Sequence, residues 1–206
     1  MKIKILVAAH KKFPMPNAEG YMPILVGAAK NYKPGIEYQR DDEGENISSK
    51  NPNYNELTAV YWAWKNLKDV DAIGLVHYRR LFIDAKPYSL SNVLSVKKIE
   101  ELLTQYDVIL PKKRNYYIET NYSHYIHAHH KEPLDRTREI IEKSCPAYLT
   151  AFDKVMKSRK AHMFNMFIMK ADAFDSYCNF MFGVLGKLEN EIDIFNSLKT
   201  NSYVIR

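Results

Sequence analysis

An α/β domain with a mostly parallel central sheet flanked by helices is predicted by three features of the chain. Short apolar runs rich in β-branched residues occur at 2–9 (KIKILVAA), 71–76 (DAIGLV) and 107–110 (DVIL). They have the length and character of buried parallel strands. Between them lie stretches with apolar residues at helical spacing, and strand–helix alternation is the pattern of a single sheet covered on both faces. The length of 206 residues suits one domain, so a single domain over 1–206 is expected.

The elements follow in order. The first strand runs directly into His10, Lys11 and Lys12, which should lie at its carboxyl end, where open α/β sheets bind ligands. Residues 13–23 hold three prolines and read as a loop, as do the polar residues 40–53. In 55–67 (NELTAVYWAWKNL) the apolar residues Leu57, Val60, Tyr61, Trp64 and Leu67 share one helical face, with Asn53 or Asn55 as the cap. The second strand ends in His77, Tyr78, Arg79 and Arg80. A helix is expected at 95–104 and a third strand at 107–110, stopped by Pro111. Residues 112–131 form a loop dense in aromatic and histidine side chains, followed by helices at 134–144 and 147–158. The run MFNMFIM at 163–169 is a strand candidate, and 171–188 a helix.

Composition narrows the function classes. Net charge is +6 with a pI of about 9.1, which is compatible with nucleic acid, an anionic membrane surface or a small phosphorylated substrate. The charge is dispersed, with its densest clusters at Lys112–Arg114 and Arg79–Arg80. That argues against a groove tracking nucleic acid. Fifteen tyrosines suit a cleft for polar ligands, because each pairs an apolar ring with a polar tip. Two cysteines far apart, Cys145 and Cys178, speak against a zinc site or a disulfide framework and for buried thiols in a reducing compartment. No apolar stretch approaches the ~20 residues of a membrane span, and the chain opens on a strand rather than a signal peptide. A cytoplasmic protein is expected, with contact at the inner face of a membrane left open.

The strongest candidate site is His77-Tyr78-Arg79-Arg80. Two arginines ending an apolar strand are costly unless they are solvated or meet anions, and the guanidinium fork matches phosphate oxygens. The two readings are a diphosphate site and an ordinary loop start. His10 and Lys11 would share the same sheet edge. Asp41-Asp42-Glu43-Gly44-Glu45-Asn46 lacks the ligand spacing of a calcium loop, so Asp41 and Asn46 stand as candidates for sugar or ribose hydroxyls beside the reading of a solvated turn. His124, His127, His129 and His130 form the densest histidine cluster. An acceptor-binding loop containing His127 and His130 is expected there rather than a transition-metal site. Asn165, inside an apolar run, needs hydrogen-bond partners or points into a cleft. Dinucleotide, P-loop and nucleophile-elbow motifs do not occur, nor does an acidic D-x-D after an apolar strand.

Five ordered blocks, KILVAAHKK, DDEGENIS followed by KNPNYNELTAVYWAWKN, IGLVHYRR, YDVILPKKR and HMFNMFIMK, resemble a bacterial family with an HYRR signature. That family has long been labelled a domain of unknown function and is found in capsule and O-antigen gene clusters. The resemblance covers residues 2–188 and implies a glycosyltransferase related to the GT-A class. It also implies a nucleotide-sugar donor, of UDP type and with galactose or galactofuranose as associated sugars, and a lipid-linked or oligosaccharide acceptor. Where GT-A enzymes carry an acidic metal motif, this chain has HYRR. A replacement of the divalent cation by Arg79 and Arg80, with no cofactor required, is therefore expected. By the same resemblance His10, Lys11, Asn46, Asn55, Glu56, His77, Arg79 and Arg80 are donor-site residues, joined by Asp41 from the reading of its acidic turn, and His162 and Asn165 lie beside the reacting centre, with Asn165 bordering the acceptor. The resemblance identifies no catalytic base, for which His162, Asp135 and Asp172 are the candidates. The family pattern continues into a segment that NSLKTNSYVIR at 196–206 does not match. The alternatives are a non-catalytic nucleotide-sugar or carbohydrate-binding module of a larger assembly and, last, a nucleic-acid binder.

Overall fold

The computed structural model describes residues 1–192; the departure expected in 196–206 lies outside them. In chain order the elements are β1 (Ile3–Ala9), β2 (Tyr21–Leu25), α1 (Ala28–Asn31), β3 (Gln39–Arg40), a 3-10 turn (Ser48–Lys50), α2 (Asn51–Tyr54), α3 (Leu57–Asn66), β4 (Ala72–His77), α4 (Val96–Leu103), β5 (Val108–Ile109), β6 (Arg114–Asn115), α5 (Asn121–Ala128), α6 (Glu132–Ser144), a 3-10 turn (Pro146–Tyr148), α7 (Leu149–Lys157), β7 (Lys160–Ala161), β8 (Phe167–Lys170) and α8 (Ala171–Glu191). The chain divides into two compact units. One comprises Met1–Lys112 with Met163–Cys178; the other comprises Lys113–His162 and the chain from Asn179.

The first unit carries a sheet of order β3-β2-β1-β4-β8-β5. Strands β3, β2, β1 and β4 are parallel, and β8 runs antiparallel to both β4 and β5. The expected α/β class and mostly parallel sheet are present. The register sets Ile5 beside Gly74 and Gly74 beside Ile168. These positions lie on one face, where Ile5, Val7, Val76 and Ile168 pack with Ile99 and Leu103 of α4. Period-2 alternation sends Leu6, Leu75 and Phe167 to the other face. Gly74 is required by this packing: a Cβ there would meet Ile168 Cγ1 at 3.0 Å and the Phe167 carbonyl oxygen at 3.1 Å.

Strand β2 begins within the stretch expected to be a loop, at Tyr21, and runs through Pro23 to Leu25. Val26 N–H donates to the Ala9 carbonyl, so alternation turns the Pro23 nitrogen away from β1. On that side β3 pairs with Ile24 and Leu25 alone, and no ladder bond is lost at the proline. The strand expected from residue 163 begins at Phe167, because Phe164 and Asn165 have positive φ, 73° and 51°. Helix α3 starts at Leu57 without a side-chain cap, since Asn55 adopts φ 49°.

The second unit holds the two-stranded ribbon β6–β7 and helices α5, α6 and α7. Ile140, Ile141 and Val184 form its buried cluster, with Leu149, Phe152, Phe180 and Leu188 around them. The stretch expected to be a loop at 112–131 contains β6 and α5. Helix α5 is opened by a capping box in which Thr120 Oγ1 accepts from Ser123 N and Ser123 Oγ accepts from Thr120 N. No helix among the described residues is long and apolar enough to cross a membrane.

Candidate functional site

The site forms in the first unit because β1 and β4 are adjacent and parallel, which brings His10 and His77 to one sheet edge. Beyond β4 the backbone closes at once. His77 N–H donates to the Arg80 carbonyl (3.0 Å), Arg80 N–H donates to the His77 carbonyl (2.9 Å), and Tyr78 N–H donates to the Ala8 carbonyl (3.2 Å). The HYRR segment is thus a tight turn tied to β1 rather than a free loop. A cavity of about 300 Å³ opens beside it, lined by Ala8, Ala9, His10, Val26, Asn51, Asn55, Glu56 and His77–Arg80. Its size falls within the range of small-ligand sites.

The arginines are held by rings rather than by acids. The Arg80 guanidinium lies 4.1 Å from the centroid of Phe164, and that of Arg79 lies 4.9 Å from Tyr78. Tyr78 in turn stacks on Phe13 at 3.6 Å, and Phe13 is fixed by Tyr38, whose hydroxyl accepts from Phe13 N–H and donates to the Phe13 carbonyl. Among the described residues neither Arg79 nor Arg80 forms an ion pair. Stacking orients a guanidinium while leaving its in-plane donors available to an anion.

A turn with two left-handed residues completes the rim. Phe164 carries the ring under Arg80, its carbonyl oxygen contacts His77 Nε2 at 2.5 Å, and Asn165 Nδ2 donates to Glu56 Oε1 at 2.7 Å. Left-handed conformations of non-glycine residues cost about 1–3 kcal/mol each. Here the turn positions a cation, an imidazole and the one carboxylate among the residues lining the cavity. His10 is edge-on to Phe13 and Tyr78. Burial, and then the positive charges of Lys11 and Arg79, lower its pKa, so its imidazole is neutral at pH 7.

Several candidate residues stand elsewhere. Asp41 is fully buried, and its carboxylate accepts from Gly27 N (2.7 Å), Ala28 N (2.8 Å), Ser48 Oγ (2.5 Å) and Thr58 Oγ1 (2.5 Å). Its oxygens are committed to tying the start of α1, the 3-10 turn and α3 together. Asp41 is therefore a scaffold residue behind Val26 and Asn55, not a sugar ligand. Asn46 folds its own acidic turn, donating to the Asp42 and Gly44 carbonyls and accepting from Ser48 N, and does not line the cavity. Lys11 sits over the Phe13 ring at 5.3 Å, outside the lining. Asp172 follows β8, whose antiparallel course carries it to the opposite sheet edge: Ala171 N–H donates to the Asp71 carbonyl, before β4 begins. It cannot serve the cavity as a base.

The remaining candidates, Asp135, His162, His127 and His130, belong to the second unit. Asp135 accepts from the Tyr122 hydroxyl (2.9 Å), which raises the tyrosine's pKa. Helix α5 orders His124 and His127 of the histidine cluster, contrary to the loop expectation, while His129 and His130 lie beyond its end. His124 Nδ1 and His127 Nδ1 meet the two oxygens of Glu119 at 2.7 and 2.5 Å, which lowers the Glu119 pKa. No group of three or more His, Cys, Asp or Glu among the described residues has metal-binding geometry. Cys145 is half-buried rather than buried, while burial pushes the Cys178 thiol up to about 12, leaving it protonated and inert. Asn51, Phe13 and Phe164 were missed as site residues, and Tyr78, though part of the candidate motif, was given no role of its own. Their roles depend on stacking and on chain crossings that leave no periodic signal.

This chain belongs to the family described as a domain of unknown function, DUF4422, whose model matches residues 4–205. Among solved structures it is similar to the WbbM bifunctional glycosyltransferase in its apo form. The identity is 31% and the TM-score 0.87, covering 99% of this chain and 39% of that one. The chain thus spans well under half the length of that protein. No curated protein matches.

Proposed function

We propose that this chain is a glycosyltransferase domain that takes a nucleotide-sugar donor, its diphosphate against Arg79 and Arg80, and transfers the sugar to a polysaccharide acceptor. The observation that carries the reading is one cavity at the carboxyl ends of β1 and β4 holding two arginines on aromatic rings, two histidines and one carboxylate. Similarity to the WbbM bifunctional glycosyltransferase supports it. The first donors to test are UDP-sugars of galactose and galactofuranose, and the acceptors are lipid-linked or free oligosaccharides of bacterial surface glycans.

The chemistry assigns each group a role. The acceptor hydroxyl gives its proton to Glu56 as its oxygen bonds to the anomeric carbon. The bond from that carbon to the diphosphate oxygen breaks, and its electron pair leaves on the nucleotide. Arg79 and Arg80 stabilise the developing negative charge, the task a divalent cation performs elsewhere. Asn165 fixes one oxygen of Glu56 and leaves the other for the proton. Neutral His10 accepts a donor hydroxyl. Glu56 replaces Asp135, Asp172 and His162 as the base.

The test is transfer and UDP affinity with wild type and Glu56→Gln, with and without chelator. The expected result is chelator-resistant transfer, with kcat falling about 100- to 10,000-fold in the variant and UDP affinity unchanged. Transfer that is abolished by chelator and restored by manganese overturns the cation replacement. UDP binding without transfer or donor hydrolysis by the wild type favours a binding module.

A further inference from the structure

The β6–β7 ribbon of the second unit ends in a turn that the transfer chemistry does not use. Ile118 N–H donates to the Tyr116 carbonyl at 2.7 Å across Tyr117, which has φ 61°. This is the strained form of the γ-turn. The turn is braced from every side. Tyr117 N–H donates to Asn115 Oδ1, Arg159 Nη1 donates to the Tyr117 carbonyl, and Tyr116 N–H donates to the Arg159 carbonyl. Asn121 Nδ2 donates to the Val155 and Lys160 carbonyls and locks the ribbon's base to α7. On this braced support Tyr117 and Ile118 are 77% and 86% exposed. Lys113, Arg114, Arg159 and Lys160 are exposed around them. The acidic neighbour, Glu119, is engaged by His124 and His127.

We infer that this tip docks on an anionic phospholipid surface, with Tyr117 and Ile118 entering the headgroup layer and the surrounding cations meeting lipid phosphates. A tyrosine at the end of an apolar projection suits the membrane–water interface, and each basic residue near an anionic leaflet strengthens binding about fivefold. Two apolar side chains are far too little surface for a stable protein interface of about 800 Å² per partner. Nucleic acid would use the cations and could stack on Tyr117, but it gives no role to Ile118, the more exposed of the pair. Attachment through one small tip is weak and reversible.

The experiment is co-sedimentation of the whole chain with vesicles of phosphatidylcholine alone or mixed with phosphatidylglycerol. It compares wild type, Tyr117→Ser/Ile118→Ser and Arg159→Gln/Lys160→Gln, with melting curves confirming the fold. Wild type should bind the anionic vesicles and not the neutral ones, and each double variant should lose at least about tenfold in partitioning. If a ribbon variant melts early, Tyr117→Trp replaces it, and its emission should shift to the blue on anionic vesicles. Equal partitioning of all three proteins, or an unshifted Tyr117→Trp emission in vesicle-bound protein, overturns the inference. So does salt-dependent nucleic-acid binding, with no vesicle binding, that ignores Tyr117→Ser/Ile118→Ser.

Discussion

Two cavities of nearly equal size, each with arginine in its wall, differ in how the arginine is used. In the second unit a cavity of about 290 Å³ is lined by Leu134, Phe152 and Met156 with Arg138 and Asp153. There Arg138 forks onto Asp153, with Nε and Nη2 at 2.8 and 3.0 Å. That hydrogen-bonded pairing raises the arginine's pKa and lowers the acid's. The fork is satisfied by protein. In the first unit Arg79 and Arg80 rest on the faces of Tyr78 and Phe164. A π face attracts the cation without consuming its N–H donors, so the capacity to bind an anion is kept for a ligand. Arginine content alone therefore identifies no site; the partner each guanidinium has does.

The contrast is broken or sharpened most strongly at Arg80. Arg80→Ala should lower kcat/KM for sugar transfer about 100- to 1,000-fold, whereas Arg138→Ala should leave it within about threefold; equal losses would erase the distinction. Next comes the acid that is already spent. Asp41→Ala strips partners from two backbone N–H groups and two hydroxyls in the interior. It should cost about 3 kcal/mol or more in chemical denaturation, against a smaller change for Asp153→Ala, whose half-buried carboxylate meets a single arginine. The sheet beneath the cavity is probed by Gly74→Ala, which should lose about 1–3 kcal/mol because its Cβ neighbours are a β-branched side chain and backbone. The donor kinetics of the folded fraction should be unchanged.

The smallest effect is a proton. The free-site pKa of His10 is lowered by burial and by neighbouring cations, and an arriving diphosphate opposes those cations and raises it. UDP binding should therefore take up a fraction of a proton near pH 6 and none at pH 8, read by calorimetry in buffers of differing ionisation enthalpy. The same lowering makes His10 a source of acid lability. The unfolded state takes up the proton first, so stability falls as pH drops below the ordinary histidine value of about 6.5. Proton release on UDP binding would contradict the assigned environment of His10.

Much of the first unit was legible in the residues. Runs such as KILVAA and AIGLV are apolar throughout, a pattern that suits a strand buried on both faces, and they led directly to His10 and to His77–Arg80. Strand β2 escaped because a proline in a strand is acceptable only when the ladder on its nitrogen side is absent, and that depends on how short β3 is. Helix α5 escaped because its cap lies in a Thr120–Ser123 box and its polar face carries histidines, so apolar periodicity is faint. Asp41 was misassigned because an acidic run looks solvated until the chain folds back over one of its members.

By itself the sequence determined the sheet's character, its central strands and the positive edge where they end, since apolar runs and adjacent arginines act through nearest neighbours along the chain. Only the tertiary structure decided which acid faces the cavity and which is buried as a strut, and that Phe164 and Asn165 reach Arg80 and Glu56. Those contacts join residues 84 to 109 positions apart, and no local pattern encodes a meeting at that separation.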